Sequence, residues 1–261
     1  MGLENRSPEP GRCSRAAFLG RAAASVVGTA LASSCGLGAE PNSQASEAKA
    51  SQGTADSRIR RWAVVTIGNL SRNRYWGESD DKGVRGAICT CTLIESAGFR
   101  LLVDPSLENV EQMARELDRR AGLKLSDITT VFITHEHADH FAGLVHFPEA
   151  QWLAGPQVAS LLNATKKWNK AIEPASGKLF ETVDVVPTPG HTFSSTSLRF
   201  DCKGLSVAVV GDAVATQDFW RERRGYFNCV DFEQSAKSME KIAKVADLVV
   251  PGHDNYFLVK L

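Results

Sequence analysis

Four apolar runs in this chain stop at, or within a short turn of, a histidine or an aspartate. Thr130-Val-Phe-Ile-Thr134 runs into His135, and Val183-Asp-Val-Val-Pro187 reaches His191 through Thr188-Pro-Gly. Leu205-Ser-Val-Ala-Val-Val-Gly211 runs into Asp212, and Leu248-Val-Val-Pro251 reaches His253 past one glycine. Short β-branched runs closed by Gly or Pro read as buried strands. A fold that uses all four must gather four strand ends on one edge.

What stands at those ends is chemically uniform. Five of the six histidines join two aspartates in one spaced set: His135, His137, Asp139 and His140 in HEHADH, then His191, Asp212 and His253. Neutral imidazole and carboxylate are the ligands that divalent zinc, iron or manganese prefer, and a catalytic site leaves the metal an open position. Seven ligands suffice for two ions. In extended backbone His135 and His137 point the same way and can grip one ion. The chain should then turn into a short helix whose first turn carries Asp139 and His140. Asp104, at the end of the strand Phe99-Arg-Leu-Leu-Val-Asp104, is expected to orient a ligand histidine. His146 lies outside every motif and is expected to be a hydrogen-bonded or exposed residue.

These motifs, HxHxDH followed by PGHT, GD and PGH, resemble the metallo-β-lactamase superfamily over roughly residues 62 to 257. The resemblance implies a four-layer αββα sandwich with two divalent ions, zinc first and iron or manganese as alternatives. His135, His137 and His191 would hold the first ion, Asp139, His140 and His253 the second, and Asp212 would bridge them. Zinc β-lactamases of the best-known class carry Cys where Asp212 stands, so the chain is similar to the glyoxalase II-like and lactonase-like branch. The function implied is hydrolysis of an ester, lactone or thioester by a metal-bound hydroxide, with Asp139 steering the proton. Phosphodiester, nucleic-acid or β-lactam hydrolysis is the alternative use of the same ions, and diiron redox chemistry is a third, for which a flavin partner domain would be needed.

Composition bounds the partners. The chain carries 30 Lys and Arg against 30 Asp and Glu, so its gross charge suggests no polyanion partner; no nucleic acid is expected, and the resemblance implies a small-molecule substrate. With 261 residues and 43% hydrophobic content, one catalytic domain over residues 58–261 is expected. Residues 1–35 read as an export signal, because Arg12, Arg15 and Arg21 flank a small-residue stretch from Ala22 to Ala32. Ala32-Ser-Ser-Cys35 is similar to a lipoprotein cleavage box, with Ala where that box has Leu, Val or Ile, and gives a candidate lipid anchor at Cys35. Residues 36–57, rich in Ala, Ser, Glu and Gln, read as a disordered tether. The expected location is periplasmic or extracellular. Cys89 and Cys91 share a strand face as core residues, disulfide pairing is left open, and oligomeric state has no signal. The loop from Gly68 to Gly86 and the aromatic, basic stretch Gln217 to Phe227 are candidate substrate walls. Tyr256 is expected to pack beside Phe257.

Overall fold

The computed structural model describes residues 58–259. Residues 1–35, expected to be an export signal ending at Cys35, and residues 36–57, expected to be a tether, lie outside the described residues.

The first half of the catalytic domain runs β1 (Arg61–Thr66), β2 (Cys91–Glu95), β3 (Arg100–Val103), α1 (Val110–Ala121), β4 (Thr130–Ile133), β5 (Gln151–Ala154), α2 (Pro156–Ala164) and β6 (Glu173–Pro174). The second half runs β7 (Gly177–Leu179), β8 (Val183–Pro187), β9 (Thr196–Cys202), β10 (Leu205–Gly211), α3 (Gln217–Arg221), α4 (Phe232–Val245), β11 (Leu248–Pro251) and β12 (Phe257–Leu258). Each half makes one six-stranded sheet, in the orders β1-β2-β3-β4-β5-β6 and β12-β11-β10-β9-β8-β7. β3, β4, β5 and β6 run parallel, as do β10 and β11, while the other pairs are antiparallel.

Alternation along the strands builds the layers. Ile94, Leu101, Val103, Phe132 and Leu153 face Val183, Val185, Leu198, Phe200, Val207, Val209 and Val250 in the core between the sheets. Their neighbours Leu93, Leu102, Val131 and Ile133 point the other way, onto Met113 and Leu117 of α1 and Val158 and Leu162 of α2. On the far side Ala208, Val210 and Val249 meet Met239 and Ile242 of α4. Both faces of each sheet are therefore apolar, which accounts for the continuous hydrophobic runs, and the result is an αββα sandwich.

Two of the helices, α1 and α4, begin where a side chain satisfies a free backbone N–H. The Asn109 side chain accepts from the Gln112 N–H at 2.8 Å at the start of α1, and Gly122 closes it with φ 67°. The Asp231 side chain accepts from the Gln234 N–H at 2.9 Å at the start of α4. Among the described residues no helix is long and apolar enough to cross a membrane.

Three expectations are revised. The strand expected over residues 87 to 94 begins only at Cys91, because Thr90 turns its N–H to the Gly252 carbonyl at 2.6 Å and its hydroxyl to the Asp254 carbonyl at 2.8 Å. The helix expected to carry Asp139 and His140 is a single 3-10 turn, Ala138–His140, inside the motif itself. Tyr256 packs edge-on against Trp62, with ring centroids 5.3 Å apart, rather than against Phe257. All four described cysteines are free.

Candidate metal centre

β4 delivers the first ligands. Its last residue is followed by Thr134 and His135, and the chain then crosses the sheet edge carrying His137, Asp139 and His140. The loop after β8 brings His191, the end of β10 brings Asp212 and the end of β11 brings His253. Close approach of the His191 loop to α4 requires a glycine before it. At Gly190, φ is 136°, and an added Cβ would lie 2.3 Å from the Ser235 nitrogen.

All seven candidate residues meet at one edge. Ligand atoms of His135, His137, His191 and Asp212 lie within 4.8 Å of one another, and so do those of Asp139, His140 and His253. Asp212 stands between the groups. Its Oδ2 is 3.2 Å from His191 Nε2, while its Oδ1 is 3.1 Å from His253 Nε2 and 3.3 Å from His140 Nε2. Asp139 Oδ2 approaches His253 Nε2 at 3.5 Å, and His137 Nδ1 lies 2.9 Å from His191 Nε2. His135, His140, His191, Asp212 and His253 are buried, whereas His137 and Asp139 are half-buried, so the centre opens to solvent on their side.

The rings are oriented from behind. His253 Nδ1–H donates to the carbonyls of Asn69 at 3.1 Å and Ile88 at 3.0 Å, which turns Nε2 inward. His140 Nδ1 pairs with Asp104 Oδ2 at 2.8 Å. Asp104 is itself held by the Thr134 N–H at 2.8 Å and the Thr134 hydroxyl at 2.7 Å, and it keeps a left-handed φ of 51° in doing so. A non-glycine residue in that region stores strain, and such strain gathers at functional sites. Asp104 thus takes the orienting position its place in the sequence suggested. Glu136, inside the HEHADH motif but not singled out by sequence reasoning, accepts from Ser194 at 2.5 Å and Thr192 at 3.1 Å and ties the His191 loop to the end of β4.

Electrostatics favour a cation. Burial pushes the pKa of His135 well down and that of His191 down to about 4, keeping both imidazoles neutral as ligands must be. Burial alone would raise Asp212, but His253, His140 and His191 hold its carboxyl well below the usual range. Burial also opposes charge on His253 and His140, yet Asp212 raises the first, and Cys89, Asp104 and Asp212 raise the second. His135 Nε2, His140 Nε2 and Asp212 Oδ1 are buried without a hydrogen-bond partner. Buried polar atoms are rarely left so, and divalent cations held by the two groups would satisfy all three. The donor set therefore fits metal.

Sequence spacing gave no hint of Cys89, whose sulfur belongs to a third group with Asp104 and His140. Its thiol is pushed up to about 12 by burial and so stays protonated at neutral pH. His146, outside the centre as expected, bonds the Glu108 carbonyl through Nε2 at 2.9 Å.

Comparison with known proteins agrees with this geometry. Residues 84–253 match the family model of the metallo-beta-lactamase superfamily. Metallo-beta-lactamase domain-containing protein 1 of Xenopus laevis is 33% identical over 149 residues, which are 53% of this chain and 59% of that protein. Its counterpart in Rattus norvegicus is 29% identical over 219 residues, 80% of this chain and 82% of the relative. The chain thus spans well under two thirds of the frog relative's length. Among solved structures, a quorum-quenching N-acyl homoserine lactone hydrolase superposes with a TM-score of 0.58 at 18% identity, over 76% of this chain and 93% of the other. AidC, a dizinc quorum-quenching lactonase in complex with a product, superposes with a TM-score of 0.55 at 19% identity, over 64% and 72%. At these identities the structural likeness speaks for the fold alone, while the family match covers most of the chain together with all seven candidate ligands: this protein belongs to the metallo-β-lactamase superfamily.

Proposed function

We propose that this protein is a dinuclear hydrolase of ester, lactone or thioester bonds, with zinc as its metal. The observation that carries the reading is Asp212, whose two oxygens face separate groups of imidazoles. His135, His137 and His191 would hold one cation, Asp139, His140 and His253 the other, and Asp212 both. Two such cations, when bound, polarise a carbonyl oxygen and lower the pKa of a water from ~15.7 to near 7.

The chain's own residues do the rest. Asp139, half-buried at the open side, takes the proton released when water ionises and returns it to the departing oxygen. Phe193, 70% exposed two residues after His191, and half-exposed Val230 offer apolar surface for the substrate's carbon skeleton. A groove of about 570 Å3, lined by Ala87, Ile88, Leu107, Asn109 and Asp139 among others, opens beside the second group and gives a bound acyl chain somewhere to lie. The lactonases of similar fold support this substrate class by analogy only.

The test is a panel of lactones, thioesters, β-lactams and bis-aryl phosphodiesters, run alongside metal analysis. Two equivalents of metal and turnover of the first two classes, abolished in His137→Ala and Asp212→Ala, are expected. Turnover of phosphodiesters alone would refute the reading. Export and lipid attachment at Cys35 complete it, and Cys35→Ala should move the protein from the membrane fraction to the soluble one.

A further inference from the structure

Among the described residues, Arg72 is a buried cation with no anionic partner. It is 8% exposed, its Nε has no hydrogen-bond partner, and none of the described carboxylates or carbonyls receives a hydrogen bond from its guanidinium. What it does touch is Phe227, whose ring centroid lies 3.5 Å from the guanidinium carbon. The next residue, Asn73, is fully buried and leaves its Nδ2 unpartnered as well. Two adjacent unsatisfied donors in a buried loop are costly unless something arrives to meet them.

The loop that carries them flanks the metal centre. Three residues before Arg72, the Asn69 carbonyl holds the His253 ring. Tyr226 donates its hydroxyl to the Arg72 carbonyl at 2.9 Å, and the segment from Tyr226 onward reaches His191, whose carbonyl accepts from the Val230 N–H at 3.2 Å. Arg72 and Phe227 therefore sit between the segments that position one ligand of each group. The Phe227 ring lies over the guanidinium, whose planar fork of N–H donors has no partner among the described residues.

We propose that Arg72 is a specificity-determining residue that receives a substrate oxyanion, a carboxylate or a phosphate, while the scissile bond lies at the metal centre. The substrate class is then an ester, lactone or thioester that also carries an anionic group. This deepens the hydrolase reading and rests on it for turnover, but the binding of the anion can be measured without catalysis.

The experiment uses the full chain, wild type, Arg72→Gln and Arg72→Lys, each checked for folding by thermal melting. Monomethyl esters of malonic, glutaric and pimelic acids, the corresponding neutral dimethyl esters and inorganic phosphate are titrated calorimetrically into metal-free protein. Charge-assisted pairing predicts that wild type binds at least one monoester, or phosphate, about ten- to a hundredfold more tightly than Arg72→Gln does, with Arg72→Lys in between. The monoester or the phosphate identifies the source of the oxyanion. Equal binding to wild type and Arg72→Gln, or no anion binding to wild type, overturns the proposal. In metal-loaded protein the preference for monoester over dimethyl ester should fall by the same factor, through KM. Equal losses for both esters would make Arg72 a packing residue and overturn it too. Anion binding that depends on Arg72 in a protein that hydrolyses none of the esters would instead remove the hydrolase reading and leave this one standing.

Discussion

Gly252 offers the smallest perturbation that reaches the metal centre. It links the last strand of the site to His253, donates its N–H to the Val214 carbonyl at 3.0 Å, and lies against the Asp212 carboxylate. A Cβ added at this position would stand 1.9 Å from Asp212 Oδ1 and 2.9 Å from the Gly211 carbonyl carbon. Real Cβ atoms essentially never come within 3.0 Å of another heavy atom, so Gly252→Ala must move the Asp212 oxygen, the loop, or both by about 1 Å or more. That oxygen sits 3.1 Å from His253 Nε2 and 3.3 Å from His140 Nε2, so the shift is a third of the spacing it has to keep. Overpacking of this kind costs about 1–3 kcal/mol, or a fall in Tm of about 2–12 °C for a domain of this size. A misplacement of ~1 Å in a reacting site costs on the order of 100-fold in rate. Gly86→Ala is the control, since its Cβ would meet nothing within 4 Å. Melting temperature, metal content and turnover of the best panel substrate are to be measured for both. A folded Gly252→Ala protein with wild-type metal stoichiometry and turnover would refute the reasoning that the exact seat of Asp212 governs the site.

Other outcomes follow from the same coordinates. Asp104→Asn leaves His140 without its charged partner and should weaken metal affinity about 10- to 100-fold, read by competition with a chelating dye. Phe200→Ala empties a fully buried position between the sheets and should cost about 3–5 kcal/mol in urea unfolding. Burial would raise the pKa of Glu95, but Arg61 at 3.0 Å and Arg100 at 3.0 Å outweigh it and lower the value. A depressed carboxylate stabilises the fold above its unfolded pKa and loses that effect as pH falls through the folded value. Glu95→Gln should therefore lose about 1 kcal/mol at pH 7, after allowance for the half-exposed arginines, and match wild type once both are well below pH 4. Adding zinc at a thousand times its Kd should stabilise the protein by about 4 kcal/mol, which EDTA reverses; a Tm indifferent to both would count against the centre.

Much of this site was legible in sequence because its ligands stand where strands stop. A strand that ends at His135, Asp212 or His253 announces itself by a β-branched run, closed by Gly211 before Asp212 and by Pro251 before His253, and sheet pairing then brings those ends together. The layers were legible for the same reason, since alternate residues such as Leu101 and Leu102 each find a core on opposite faces. What could not be read depends on contacts between distant segments. Nothing near Cys89 in sequence foretells Asp104 and His140 beside it, and Arg72 looks like any loop arginine until Phe227, far along the chain, is laid under it. Thr90 was misread as strand because its partner is the Gly252 carbonyl, which no local pattern records.

The two sheets divide the ligands between them. His135 and His137 come from the first half of the domain and His191 and Asp212 from the second; Asp139 and His140 come from the first and His253 from the second. Neither half alone brings together either group of candidate ligands, so cation uptake there would report the docking of one sheet on the other rather than the formation of either. A chelator should accordingly loosen the seam between the halves before it melts the halves themselves, and amide exchange in Phe132 and Phe200 would register that order.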